Sequence, residues 1–372
     1  MKVIRTIESF YPCVSGPANK AFKISESLYR KGIESPIFTT DFNVKNVKEK
    51  EYFGSVLVRR FKVKRKIMKY CFTPSMKKAF GDFDIIHSHN YRSYQSSLGY
   101  NMARKRKKPF VINTHGNLLA YKNFNMDLAS RLPYYVYDLI TLKRVVKKAD
   151  MVIAATGQEY KEALEFGVKK ENLRVIPVGI NIKDYEPVKK DPLMLNILFV
   201  GRISRNRNLE PIIRAMKLLK DVKLTIVGGE IKSSETSKTG YVDELKKLAH
   251  GLNIEFTGPK YGKELINYYK KADIFVYTSF YENFGQTILE AGAAGLPIIS
   301  TKVGVANDIV NDDKTGFIVG PDNPGMIASY IMELKDKKRR AMFGKRIREI
   351  VKKNFDWDNI IEKYVEVYES VM

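Results

Sequence analysis

Two glutamates, Glu282 and Glu290, are separated by seven residues that form a short loop and a helix start, in the stretch SFYENFGQTILEAGAAGLPIIST at 279–301. A carboxylate accepts hydrogen bonds from vicinal hydroxyls. Between the two acids, Asn283-Phe284-Gly285 leads from a strand end into a helix. Gly285 lacks a Cβ, so a ligand can come close to the backbone there, and the free N–H groups of a helix N-terminus suit a diphosphate. Glu290, about one and a half turns into the helix, is placed for a diol such as that of a ribose. Glu282, ahead of the helix, is placed for the hydroxyls of a second ring. A diphosphate between two polyols is the outline of a nucleotide sugar. Taken without its flanks, the same pair reads equally well as two exposed acids on a surface helix.

The flanks decide between these readings. Ala291, Gly292, Ala293, Ala294, Gly295 and Pro297 follow the second glutamate, and the stretch resembles the E-x7-E signature of the family-4 retaining glycosyltransferases, the glycosyl transferases group 1. The resemblance extends along the whole chain and is sharpest in its second half. It implies a GT-B fold: α/β, two Rossmann-like β/α/β domains facing each other across a cleft, with a C-terminal helix returning toward the N-terminal domain. It implies an acceptor-binding domain over 1–185, a nucleotide-sugar domain over 186–353 and a crossover helix over 354–372. By the same resemblance Glu290 holds the ribose, Glu282 contacts the donor hexose, and Asn283, Phe284, Gly285 and Leu289 line the donor. FVGRISRNRN, 199–208, is similar to the family's second motif: Gly201 and Arg202 match it, and Arg207 stands where lysine is usual. Both arginines are then expected at the diphosphate, stabilising the leaving nucleotide, although arginine and lysine differ in shape. Gly258 and Lys260 fall on a loop near the base. His115, in Asn113-Thr114-His115-Gly116, looks like the family's cleft histidine near the donor sugar. Gly16 belongs to the loop after the first strand, where the family commonly has Gly-Gly but this chain reads CVSGPA. His115, Arg202, Arg207 and Glu282 are therefore the expected catalytic residues. The expected reaction is metal-independent, needs no cofactor beyond a UDP- or GDP-linked sugar as donor, and retains anomeric configuration by same-face attack. Closure of the two domains would exclude water.

These residues need a scaffold, and the hydrophobic pattern supplies one. Strands are expected at Val3–Ile7, Ser35–Thr39, Ser55–Phe61, Asp84–Ser88, Phe110–Thr114, Met151–Ala155 and Arg174–Pro177. Helices are expected at Ala18–Arg30, Tyr91–Lys107 and Leu128–Lys148, from apolar residues at helical spacing. Asn181–Pro192, polar with two prolines, reads as a linker. The second half repeats the alternation, with strands at Asn196–Val200, Lys223–Val227, Ile254–Thr257, Asp273–Thr278, Pro297–Ser300 and Gly316–Val319. Helices lie between them at Asn208–Lys220, Tyr241–His250, Tyr261–Lys271 and Gly285–Ala294. A helical tail follows, interrupted at Gly344 and at Phe355–Asp358, before a last helix over Ile360–Val371. Alternating strands and helices imply parallel sheets covered on both faces, and such sheets bind ligands beyond the carboxyl ends of their strands.

Composition narrows the setting. The chain has 372 residues, enough for two domains. Two cysteines, Cys13 and Cys71, give no disulfide framework, and His87, His89, His115 and His250 are too scattered for a zinc site. His87 and His89 end a strand, where packing and a place at the cleft edge are equally good readings. There is neither a signal-peptide core at the start nor an 18-residue apolar run, so a cytoplasmic protein is expected. Net charge is +24, and residues 1–190 hold 37 basic and 17 acidic side chains. One run, Arg59 to Lys78, contains no carboxylate, and Arg104–Lys108 is a second basic cluster. With Ile67, Met68, Tyr70 and Phe72 nearby, this field suggests docking on the anionic inner face of a membrane and a glycan or lipid-linked acceptor. Solvated lysine-rich surfaces are the plainer alternative. A sugar-nucleotide epimerase shares the architecture; a nucleic-acid binder fits the charge but shows no module motif, so no nucleic-acid partner is expected.

Overall fold

Apolar runs such as VIRT at Val3–Thr6 and LNILFV at Leu195–Val200 carry few side chains that can face water on either side, which suits strands covered on both faces. In the computed structural model of the chain these runs enter two separate sheets. It describes residues 1–13, 15–42, 44, 46–67, 70–116, 118–119, 128–141, 143–187, 194–230 and 240–372. The chain divides into two compact units, Met1–Val178 with Asp358–Met372, and Gly179–Trp357.

The first unit contains β1 (Val3–Thr6), α1 (Gly16–Arg30), β2 (Ile37–Thr40), β3 (Lys50–Phe53), β4 (Val56–Phe61), β5 (Arg65–Ile67), β6 (Tyr70–Phe72) and β7 (Ile85–His89). It continues with α2 (Tyr94–Lys105), β8 (Phe110–Asn113), α3 (Leu128–Thr141), α4 (Arg144–Lys147), β9 (Met151–Ala154), α5 (Gly157–Phe166) and β10 (Leu173–Val175). Its sheet runs β10-β9-β8-β7-β1-β2-β4-β3, parallel except for the edge strand β3, and β5 and β6 form a separate antiparallel hairpin. Register sets Arg5 beside His87 and His89 beside Asn113, so polar side chains collect near the carboxyl ends of three central strands.

The second unit is built on β11 (Leu195–Val200), α6 (Glu210–Met216), β12 (Val222–Val227), α7 (Tyr241–Leu248), β13 (Ile254–Gly258), α8 (Gly262–Lys271) and β14 (Ile274–Tyr277). Then come α9 (Gln286–Ala293), β15 (Ile298–Ser300), α10 (Ala306–Ile309), β16 (Gly316–Ile318), α11 (Pro324–Glu333) and α12 (Lys337–Phe355). Its six strands, ordered β13-β12-β11-β14-β15-β16, are parallel. The last helix, α13 (Trp357–Val371), belongs to the first unit from Asp358 onward. Its Tyr364 and Tyr368 are buried there.

Several expectations from sequence are corrected. The long helix over 128–148 is two helices, because Lys143 takes a left-handed conformation with φ 56°. The helix expected from Asn208 starts at Glu210, since Asn208 is also left-handed at φ 51° and Pro211 suits the first turn. Gly344 does not interrupt the tail. α12 runs through it, and a Cβ there would collide with the Gly295 carbonyl, so the glycine serves close packing. The break falls at Asp356, whose backbone is extended. Strand β3 and the β5–β6 hairpin went unread because they are short and expose most of their side chains. Of the expected linker, Ile182 and Tyr185 are buried in a 3-10 turn, and residues 188–192 lie outside the described residues.

Gly344→Ala is expected to lower stability by about 1–3 kcal/mol through overpacking. A guanidinium titration followed by the single tryptophan, Trp357, checks this.

Candidate functional site

In the second unit the carboxyl ends of β11, β12 and β13 finish in Gly201, Gly228 and Gly258. Gly201 N–H bonds to the Val227 carbonyl and Gly228 N–H to the Gly258 carbonyl, each at 3.0 Å. Gly228 has φ +148°, and a Cβ on it would strike the Gly201 carbonyl, so only glycine lets these loops pack. The loop after β11 then crosses to the loop after β14. Asn208 donates to the Thr278 carbonyl at 3.3 Å, Thr278 Oγ1 donates to the Asn208 carbonyl at 2.5 Å, and Ser279 Oγ donates to the Asn206 carbonyl at 2.9 Å.

This cross-bracing holds Arg207 against Glu282. Its Nη1 lies 2.5 Å from Glu282 Oε2, and donates to Ser279 Oγ and the Tyr281 carbonyl, each at 3.1 Å. Tyr277 Oη donates to the same glutamate oxygen at 2.7 Å. The guanidinium sits 5.7 Å from the Tyr277 ring centroid. Burial, followed by the Glu282 charge, drives the Tyr277 phenol above its ordinary pKa, so it remains a donor. Arg207 and Glu282 thus form one mostly buried ion pair.

Gly285 precedes α9 with φ +84°, a conformation that favours glycine. The Gly285 carbonyl accepts from the N–H groups of Ile288 and Leu289, and those of Gln286 and Thr287 have no partner among the described residues. Farther along α9, Glu290 Oε2 accepts from Tyr269 Oη at 2.8 Å. Burial pushes the Glu290 carboxyl up to about 7, against the opposing hydrogen bonds from Tyr269 and Gln286.

The remaining expected residues of this unit divide by exposure. Arg202 is exposed and has no side-chain partner among the described residues. Lys260 is paired with Glu264 at 2.6 Å, which raises its pKa. Asn283 Oδ1 accepts from Tyr281 Oη at 2.7 Å. The Phe284 carbonyl accepts from Val305 N–H at 2.6 Å. Leu289 is wholly buried, and its side chain belongs to the core.

Gly16 and His115 belong to the first unit. Gly16 opens α1, which Ser15 caps by accepting from Ala18 N–H at 3.2 Å. His115, at φ 53°, ends a chain of hydrogen bonds that starts at Arg5. Arg5 is fully buried, yet its partners are neutral: Ser25, Ser35, Tyr368, His87 and His89. A guanidinium can only donate. Its Nη1, 3.0 Å from His87 Nδ1 and 3.1 Å from His89 Nε2, therefore makes both nitrogens acceptors. The proton of each neutral ring is then on the other nitrogen. His87 Nε2 donates to Asn113 Oδ1 at 2.6 Å, and His89 Nδ1 donates to His115 Nε2 at 3.0 Å. His115 accordingly carries its proton on Nδ1. Burial holds all three imidazoles well below the usual histidine pKa, and Arg5 opposes their protonation further at His87 and His89. His87 and His89 are therefore interior polar residues, not surface groups.

Sequence reasoning missed Arg5, Tyr269, Tyr277 and a buried pair, Lys20 and Glu159. Arg5 had a signal, a cation inside an otherwise apolar strand. Glu159 had another, since Thr156-Gly157-Gln158-Glu159 has the spacing of a capping box. The Thr156 hydroxyl does accept from Glu159 N–H at 3.1 Å, but the Glu159 carboxylate accepts from Ala155 N–H instead. Burial lowers the Lys20 pKa and raises that of Glu159. The tyrosines fell on strand and helix positions that read only as core.

Residues 14–184 match the family described as Glycosyltransferase Family 4, and residues 182–350 match Glycosyl transferases group 1. The chain belongs to the family-4, group 1 glycosyltransferases of the GT-B fold. A D-inositol 3-phosphate glycosyltransferase of Salinispora tropica is 27% identical over 78% of this chain and 64% of its own length, so the match spans less than two thirds of that relative. An uncharacterized glycosyltransferase of Methanocaldococcus jannaschii is 26% identical over 100% of this chain and 99% of its own. Among solved structures, a sucrose-phosphate synthase of Thermosynechococcus elongatus superposes with a TM-score of 0.83 at 22% identity, covering 99% of this chain and 98% of that one. The Anabaena protein HepE in complex with UDP-glucose superposes with a TM-score of 0.76 at 19% identity, covering 100% of both.

The three imidazoles are expected to stay neutral from pH 8 down to pH 6, below the roughly 6.5 of a free histidine, with the Nδ1–H form at His89 and His115. Nitrogen-15 shifts of the histidine rings check this; titration of all of them near 6.5 would show that the chain of hydrogen bonds does not order the protons.

Proposed function

We propose that this protein transfers a hexose from a nucleotide diphosphate sugar to a glycan acceptor, with retention at the anomeric carbon and without a metal ion. The observation that carries the reading is the second unit's arrangement: helix-tip N–H groups of Gln286 and Thr287 without partners among the described residues, between the Arg207–Glu282 pair and the buried Glu290. In this reading the helix tip, Arg207 and the exposed Arg202 take the diphosphate and stabilise charge on the departing nucleotide. Glu290 accepts from the ribose diol. Glu282, already held by Tyr277, offers its other oxygen to the hexose, contacted also by backbone at Asn283, Phe284 and Gly285. Gly201, Gly258 and Lys260 border the nucleotide, while Gly16 and the Nδ1–H of His115 serve the sugar and acceptor side. Among the described residues no cluster of metal-ligating side chains occurs; cationic side chains suffice for the charge. HepE is described in complex with UDP and with UDP-glucose, which supports UDP as the first base to try ahead of GDP. The strongly basic first half supports an acceptor at an anionic surface, a lipid-linked glycan of cell-surface polysaccharide or glycolipid synthesis, made by a protein held peripherally at the inner membrane face. No described helix is long and apolar enough to cross a membrane.

Thermal shift with UDP, GDP, ADP and their sugars tests the reading, since a donor raises the melting temperature. No stabilisation by any of them would remove the donor site, and donor isomerisation without acceptor would make the protein an epimerase. Sugar transfer is expected to persist in EDTA.

Glu290 adds a pH signature. Ribose hydroxyls favour the ionised carboxylate, whereas burial leaves it half-protonated at about pH 7. Binding therefore expels a proton below that pH. Affinity for UDP-glucose is expected to fall about tenfold per unit as pH drops below 7, until the bound-state pKa is reached. Glu290→Gln is expected to weaken binding by roughly 1.5–3 kcal/mol and to abolish this dependence in calorimetric titrations at several pH values.

A further inference from the structure

Helix α3 packs one face inward and leaves an apolar stripe on the opposite face. Tyr134, Tyr137, Asp138 and Thr141 turn inward at helical spacing. Tyr137 packs on Tyr91 with ring centroids 5.4 Å apart and bonds Ser97 at 2.8 Å, and Asp138 pairs with Arg92 at 2.7 Å. The opposite stripe, Leu132, Val136, Leu139 and Ile140, repeats at i, i+4, i+7 and i+8 and lies in solvent, with Leu139 72% and Ile140 76% exposed. Neighbouring large apolar side chains left in water mark a docking site. The β5–β6 hairpin lies against the same helix. Tyr70 of that hairpin packs on Tyr137 at 5.9 Å, and the hairpin exposes Ile67 and Phe72.

Charge identifies the occupant. The only carboxylate between Leu128 and Ala149 is Asp138, which is buried against Arg92. The exposed charges that follow the stripe are cations, Arg144, Lys147 and Lys148, and the hairpin adds exposed Arg65 and Lys66. A two-fold copy of this face would set cations against cations. An anionic bilayer instead takes the apolar stripe among its acyl chains and the cations at its headgroups. We propose that α3, with the β5–β6 hairpin, is the element by which this protein docks on anionic lipid.

This deepens the membrane part of the function proposed above and owes nothing to the donor site. It also moves the anchor away from the Arg59–Arg60 end of the basic run. Arg60 is buried against Glu51 and Arg59 is stacked beside Phe38 and Phe61, so these two cations are structural.

The test is flotation of the full chain, without nucleotide, on phosphatidylcholine vesicles with and without phosphatidylglycerol. The wild type is expected to float with the anionic vesicles and hardly with the neutral ones. Leu139→Ser with Ile140→Ser, and separately Arg144→Glu with Lys147→Glu, are each expected to weaken partitioning roughly tenfold or more. Circular dichroism melts and the UDP-glucose thermal shift serve as folding checks, because both pairs of residues are exposed and lie in the other unit from the donor site. Wild type absent from anionic vesicles, or a serine variant that floats undiminished, overturns the proposal. So does a wild-type dimer in sedimentation that the serine variant dissolves, which would assign the face to a second copy. Donor binding is read separately, so loss of the lipid result leaves the donor reading standing, and the reverse.

Discussion

A charge taken out of water has to be met inside the protein, and that constraint shapes both units. In the second, Arg207 and Glu282 meet each other, with Tyr277 and Ser279 filling the remaining hydrogen bonds. Such pairs add little to stability, because desolvation offsets most of the attraction. What the pair does secure is geometry. A guanidinium tied to Ser279 and to the Tyr281 carbonyl cannot swing into solvent, so its position relative to the start of α9 is set before any ligand arrives. Truncating either partner would leave the other buried and unpaired, so a loss on mutation would mix the cost of that orphan with any role in binding.

The first unit solves the same problem without an opposite charge. Arg5 finds no carboxylate among its partners, only hydroxyls and two imidazoles. This works because a neutral imidazole offers one lone pair and one N–H in opposite directions, so it can accept from a cation and still donate onward. The direction of each proton from Arg5 to His115 follows from the one group that cannot accept. Protonating any ring would place two like charges in a dry interior, which is the physical reason these histidines resist charging.

Much of the scaffold could be read from the sequence because parallel strands buried on both faces leave continuous apolar runs, as in Leu195–Val200 and Ile274–Tyr277. The Glu282–Glu290 stretch was legible for a different reason, its resemblance to a family signature in which small residues follow the second glutamate; in the fold one of these, Gly292, lies against Val351 and Ile347. What escaped reading were partnerships across long sequence separations. Nothing local says that Arg5 meets Tyr368, that Tyr269 meets Glu290, or that Gly344 abuts Gly295. Backbone reversals at Lys143 and Asn208 escaped as well, since residues other than glycine give weak warning of a left-handed conformation.

The net charge also has to be divided before it can be interpreted. Counted along the chain, the basic excess of the first half looks like one field. In the fold it separates into cations spent internally and cations left outside. Arg5, Lys20, Arg60 and Arg92 are buried or nearly so, meeting histidines, a carbonyl, Glu51 and Asp138. Arg65, Lys66, Arg144, Lys147 and Lys148 keep no such commitments and stand at the surface. Cations left at the surface contribute a field that an external anionic surface can feel at close range, since screening by salt confines surface charges to about 8–10 Å. The part that matters is local, where uncompensated cations share an edge with apolar side chains that water does not favour.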